Sequence, residues 1–198
     1  MFRYKFSLVF IFIMLSFATS ACQVTLLGDA NHAPTIGSVH ELAALATSAP
    51  ASPPARLKIP RLDVDASIES VGLADNGSMG APTYVEDVAW YNRGAIPGEI
   101  GKAVLAGHLD AIGGVPAVFY RIGSLQAGDS VIIVHADGTE SHFEVTHKNT
   151  YPYTETPFDE VFGFTLQSEL NLITCTGSWN RSAQNYTNRL VVFTRKVN

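Results

Sequence analysis

The sequence predicts a mainly β domain, a small barrel or sandwich with brief helices in its crossovers. Three observations lead there. Apolar residues gather in short β-branched runs rather than at helical spacing, and turn signals such as Ala127-Gly128-Asp129 and Ala136-Asp137-Gly138 separate the runs. In addition, 198 residues that are 46% hydrophobic and 16% charged supply one good core and hardly two.

Taken in order, residues 1–22 read as a targeting segment. Arg3 and Lys5 precede an apolar stretch from Phe6 to Phe17, and small residues Ala18 to Ala21 follow. Two tethered outcomes stay open, a signal anchor and a lipoprotein-type signal peptide in which Cys22 becomes the lipidated first residue. Simple secretion is a third. Thr19 stands where a lipoprotein site usually carries Leu, and the apolar run is short for a span of about 20 residues. Residues 23–55 are a flexible Ala, Ser and Pro-rich linker, too poor in large apolar side chains to offset the entropy of ordering it. His32 and His40 belong to that solvated stretch.

The folded domain, 56–198, opens where Leu57, Ile59 and Leu62, then Val64, Ala66 and Ile68, begin to alternate. Further strands are expected at Ala103–Ala106, Val131–His135, His142–Thr146, Leu170–Cys175 and Leu190–Thr194. Short helices are expected at Pro116–Ile122 and around Phe158–Phe162. The formal charge of -5, with no basic stripe, argues against a nucleic-acid partner.

Chemistry concentrates in three places. Cys175 closes the run Leu172-Ile173-Thr174-Cys175-Thr176-Gly177, His108 follows Leu105-Ala106-Gly107, and Arg189 opens Arg189-Leu190-Val191-Val192. A disulfide is the ordinary use of two cysteines outside the cell, but Cys22 lies across a linker and at the membrane, which leaves Cys175 a lone thiol. A buried inert cysteine is the other structural use. Against it, small Thr174 and Thr176 with Gly177 place Cys175 at a strand end facing an opening. Gly107 allows a close approach before His108. A hairpin from Leu170 to Thr194 carries Arg189 back to the thiol, and a thiol near pKa 8.5 needs such a neighbour for nucleophilic work. Spacing alone does not bring His108 there.

The histidines do not form a metal site on this reading, because alternation in His142-Phe143-Glu144-Val145 sends His142 to solvent, apart from His108, His135 and His147. No metal or cofactor is expected, and the carboxylates near Asp159 and Glu160 are too few for calcium. Asp110 is left either holding a loop or orienting His108.

From Arg56 to Asn198 the chain resembles the sortases, cysteine transpeptidases of mainly Gram-positive bacteria, and is most similar to their class F group. The resemblance rests on Trp90-Tyr91 leading to Pro97-Gly98-Glu99, on Ala103 to Asp110, on Pro116-Ala117-Val118-Phe119-Tyr120, on Leu172 to Gly177 and on Arg189 to Phe193. It implies an eight-stranded barrel with the cysteine on the seventh strand and the arginine at the start of the eighth. It implies Cys175 as nucleophile, His108 as general acid and then base, and Arg189, ahead of Arg181 in the same loop, as the group that steadies the oxyanion. Thr174 and Trp179 are the implied substrate contacts, with the loop Gly177–Asn188 and the crossover Tyr151–Glu169 lining a peptide groove.

The implied activity is cleavage of a Leu-Pro-x-Thr-Gly-like sorting signal on secreted proteins, through a thioacyl enzyme, with transfer to a peptidoglycan amine at the outer membrane face. A surface lipoprotein using the same barrel as a binding module, and a hydrolytic cysteine peptidase, are the alternatives.

Overall fold

The computed structural model describes residues 51–197. The targeting segment, most of the linker and Cys22 lie outside the described residues. The strands are β1 (Pro54–Ile59), β2 (Val64–Val71), β3 (Val88–Tyr91), β4 (Gly101–Gly107), β5 (Ser130–His135), β6 (Glu140–Pro152), β7 (Ser168–Asn180) and β8 (Asn185–Lys196). They close into a barrel in the order β1-β2-β3-β4-β7-β8-β6-β5. A one-turn helix, α1 (Phe158–Val161), lies in the β6–β7 crossover.

Alternation explains which face of each strand is buried. Leu57 and Ile59, Ala103 and Leu105, Ile133, Phe143 and Val145, Leu170 and Leu172, and Val192 all point into the barrel and form its core. A fully buried Leu contributes about 2 kcal/mol or more, so the Leu105 and Leu172 rows weld β4 to β7. The next residues along, Val104, Val191 and Phe193, face outward. They are nevertheless buried, because Val161 of α1 and Ile173 pack on them as a second apolar cluster. This crossover therefore covers the outer face of β4, β7 and β8, and Asn171 pins it by donating from Nδ2 to the Val161 carbonyl at 2.8 Å.

Several expectations change. β1 begins at Pro54, two residues ahead of Arg56, since a proline is tolerated at the first position of a strand. The expected helix over Pro116–Ile122 is a series of turns that ends in a 3₁₀ turn at Ile122–Ser124. The N–H groups of Val118 and Phe119 donate to the carbonyls of Val85 and His108, so they are not free to build a helix. β3 was hidden in a four-residue run, and β6, β7 and β8 extend well past their apolar stretches. Cys175 accordingly sits within β7 rather than at its end: the buried part of the strand stops at Thr174, while the exposed part continues to Asn180 as a hairpin ribbon with β8.

Candidate active site

β4, β7 and β8 are neighbours, and their registers set the site. β7 and β8 are antiparallel, and Cys175 is the direct partner of Arg189. β4 and β7 are parallel, with Ala106 beside Ile173. His108 follows one residue past the end of β4, and it lines the same two openings as Cys175. Parity puts all three on the outer face, because His108 is in step with Val104, Cys175 with Ile173, and Arg189 with Val191. Imidazole, thiol and guanidinium all line one opening, with Cys175 and Arg189 directly paired across β7 and β8.

Local packing holds each member. Gly107 has to be glycine, because a Cβ there would lie 2.5 Å from the Phe119 ring. Phe119, fully buried, fills that space and fixes the exit of β4. After the cysteine, Gly177 adopts φ +85 in a register shift of the β7–β8 ribbon, a conformation that side chains other than glycine rarely take.

His108 is held by a backbone carbonyl. Its Nε2 lies 3.1 Å from the Pro82 carbonyl, which can only accept, so Nε2 carries hydrogen and Nδ1 is the nitrogen left to exchange a proton with the site. The Pro82 segment is itself anchored by Glu69 of β2. That carboxylate accepts from the Thr83 N–H at 2.7 Å, from Thr83 Oγ1 at 2.8 Å and from the Tyr84 N–H at 3.4 Å. These bonds hold the Glu69 carboxyl below the usual carboxylate range.

Arg189 is spread between neutral oxygens. Its Nη2 donates to Asn185 Oδ1 at 2.8 Å, Nη1 donates to the carbonyls of Asn188 at 3.0 Å and Tyr186 at 3.4 Å, and its Cζ lies 5.8 Å from the centre of the Tyr153 ring. Among the described residues no carboxylate pairs with it, so its charge is uncompensated beside the thiol. Arg181, the competing arginine, lies exposed in the turn at the far end of the ribbon.

Cys175 is a free, half-buried thiol. Burial pushes its pKa above the ordinary thiol value, Arg189 pulls it down, and Asp110 adds a smaller push upward. The resting sulfur is therefore mostly thiol at neutral pH. Two openings meet at it. One, of about 610 Å³, is lined by Arg189, Tyr153, Thr156, Phe162, Met79 and Pro82 among others. The other, of about 840 Å³, holds Asp110, Ile112, Trp179, Arg181 and Tyr186. In it Tyr186 donates its hydroxyl to Asp110 Oδ2 at 2.5 Å, which pushes the phenol up to about 12 and keeps it a donor.

Two implied substrate contacts separate here. Trp179 is half-exposed, packs edge-on against Tyr186 at 5.3 Å and lines the larger opening. Thr174 is buried inside the barrel and spends its hydroxyl on the Gly107 carbonyl at 2.8 Å. Its side chain ties the cysteine strand to the histidine strand, and the residue also lines the smaller opening. From the crossover, Tyr153, Thr156 and Phe162 line the smaller opening, while Phe158 is exposed and stacks on Phe162.

The other histidines are occupied elsewhere. His142 is exposed beside Glu140, His147 stacks on Phe193, and His135 is buried between Ser52 and Ser141. Among the described residues no three His, Cys, Asp or Glu side chains converge on one point. No described helix is long and apolar enough to cross a membrane.

Sequence reasoning missed Glu69, Pro82, Asn185 and Tyr186. None belongs to an apolar run, and each earns its place only through a partner distant in sequence. The single available signal was Asp110, two residues after His108.

A closed barrel carrying these three side chains is the frame of a cysteine acyltransferase. The sortase domain model matches residues 57–197, and the chain belongs to the sortase family, cysteine transpeptidases that join sorting-signal proteins to cell-wall amines at the bacterial surface. Solved structures agree on the fold. Sortase C-1 from Actinomyces oris is 23% identical, with 73% of each chain covered and a TM-score of 0.58. Sortase A from Corynebacterium diphtheriae is 21% identical over 83% of this chain and 71% of that one, with a TM-score of 0.56. Sortase C from Clostridium perfringens is 18% identical, covering 72% and 68%, at 0.54. Among curated proteins none matches the chain.

Proposed function

We propose that the chain is a class F-like sortase that cleaves a Leu-Pro-x-Thr-Gly-like signal, holds the acyl group on Cys175 and passes it to a peptidoglycan amine. The observation that carries this reading is the register pair Cys175–Arg189 with His108 lining the same opening. Residues 1–22 tether the enzyme to the outer membrane face, by an anchor or by lipid on Cys22.

In the first half-reaction the Cys175 thiolate attacks the carbonyl of the Thr-Gly bond. Negative charge grows on the carbonyl oxygen, and the Arg189 guanidinium stabilises it because no protein carboxylate competes for that charge. His108, with Nε2 committed to Pro82, takes the Cys175 thiol proton on Nδ1 as the thiolate forms and gives it to the departing glycine nitrogen. The C–N bond breaks and a thioester remains. In the second half-reaction an amine attacks, His108 takes a proton from it, and the C–S bond breaks to restore the cysteine. Water in place of the amine gives hydrolysis. Only the fraction of molecules with an ionised Cys175 starts the cycle, a fraction that burial lowers and Arg189 raises.

The sorting signal fits the smaller opening, which holds the guanidinium and the apolar Met79, Ile173 and Phe162. Incubating the full chain with a Leu-Pro-x-Thr-Gly peptide library, with and without an amine, and reading intact mass tests this. The expected result is a thioacyl adduct and an amine-dependent product, with Cys175→Ala losing both by at least about 10⁴-fold. A folded enzyme that forms no adduct with any library member contradicts it and favours a binding module.

A further inference from the structure

We infer that the larger opening is where the acceptor enters, and that the Asp110 carboxylate recognises that acceptor as a primary amine carrying its ammonium charge. The inference rests on the transpeptidase reading above and names the residue that selects its second substrate.

The two openings share three residues, His108, Cys175 and Asn185. A transfer between two substrates needs both to reach one sulfur, one of them held as a thioester while the other arrives. The developing oxyanion belongs beside Arg189, which lines only the smaller opening. The larger one is left for the second substrate, and its character differs. Its charged groups are Arg181, in the exposed turn at the end of the β7–β8 ribbon, and, on the loop that carries His108, the Asp110 carboxylate, hydrogen-bonded through Oδ2 to Tyr186. Among the described residues no cation pairs with Asp110, and its Oδ1 accepts no hydrogen bond. One lone-pair face is therefore free for a ligand donor. Trp179, packed on Tyr186, forms an apolar wall nearby.

Position and timing make the carboxylate intelligible. A negative charge near Cys175 opposes the thiolate and so works against the first attack. Once the thioester has formed, the sulfur is uncharged and that opposition disappears. The acceptor then arrives, and a free peptide amino group or lysine side chain is largely cationic near neutral pH. Asp110 draws the ammonium in beside His108, which removes one proton. The nitrogen lone pair forms the new C–N bond, and the nitrogen becomes positive again in the tetrahedral adduct. Asp110 faces that charge too, so it favours the transition state as well as the encounter. Collapse breaks the C–S bond with its electron pair going to sulfur, and the second nitrogen proton leaves. The balance is thioester plus ammonium giving amide, thiol and one proton.

The test is partition of the thioacyl enzyme between two acceptors in one mixture, glycinamide, which is mostly cationic at neutral pH, and hydroxylamine, which is mostly uncharged. In the full chain, Asp110→Asn should lower the glycinamide-to-hydroxylamine product ratio about threefold to fivefold, the size expected for one partly solvated charge contact. Asparagine Oδ1 still accepts from Tyr186, so the loop geometry is preserved. If that variant does not fold, the wild-type ratio serves instead, and raising the salt from about 0.01 to 1 M should lower it severalfold. A thioacyl adduct whose partition is insensitive to both Asp110→Asn and salt overturns this inference and leaves the transpeptidase reading standing. Failure of the wild type to form any thioacyl adduct overturns both.

Discussion

The two sides of Cys175 are built in opposite ways. On one side Arg189 presents a guanidinium supported only by neutral oxygens, and the surrounding walls come from the β2–β3 connection, the end of β4, β7, β8 and the β6–β7 crossover. On the other, Asp110 presents a carboxylate supported by one phenol, on the loop that leaves β4 after Gly107 and carries His108, with Arg181 farther along the lining from the β7–β8 turn. One sulfur therefore feels a cation and an anion at once. The arrangement suits a two-stage reaction in which negative charge develops on the first substrate and positive charge on the second.

The largest effect should come from removing the cation. Arg189→Met should slow acylation of Cys175 by about 10²- to 10³-fold, the usual cost of losing an oxyanion donor, and Arg189→Lys should restore only part of it. Single-turnover mass spectrometry with the sorting peptide reads this directly. An Arg189→Met enzyme that acylates at the wild-type rate would move the oxyanion role to Arg181.

A smaller effect should follow from loosening His108 without touching it. Glu69→Ala frees the Thr83–Tyr84 segment that presents the Pro82 carbonyl, and should lower kcat roughly tenfold with KM for the signal little changed. Glu69→Gln keeps an acceptor for the Thr83 N–H and should recover most of the loss. Equal losses in both variants would mean that charge, rather than position, is what Glu69 supplies.

How much of this was legible in the sequence follows the range of the interactions. The runs Ala103–Ala106, Leu170–Cys175 and Leu190–Thr194 are written in β-branched and apolar residues, and each became a strand of the site. The hairpin logic that returned Arg189 to Cys175 also held, because β7 and β8 are adjacent in sequence. His108 is different. β4 meets β7 in parallel with β5 and β6 intervening, and no local pattern encodes that register.

Position in the sheet accounts for the misreadings. Thr174 turns its hydroxyl to the Gly107 carbonyl, a tie between β7 and β4 that the run around the cysteine does not announce. The exposed halves of β6, β7 and β8 lack alternation because they face solvent in a ribbon, so their strands looked shorter than they are. Glu69 and Tyr186 carried no signal at all. Their value lies in partners distant in the chain, Thr83 in one case and Asp110 in the other.

The opposed-charge account makes one claim that needs no substrate. The pH dependence of Cys175 alkylation by iodoacetamide, measured in wild type, Arg189→Met and Asp110→Asn, reports the thiol pKa in each. The wild-type midpoint should lie above that of an ordinary thiol because burial dominates. Loss of the guanidinium should raise it further, since the cation favours the thiolate, and loss of the carboxylate should lower it. Midpoints moving in opposite directions are the predicted result, whereas a shift of both variants in the same direction, or of neither, would contradict a thiol held between a cation and an anion.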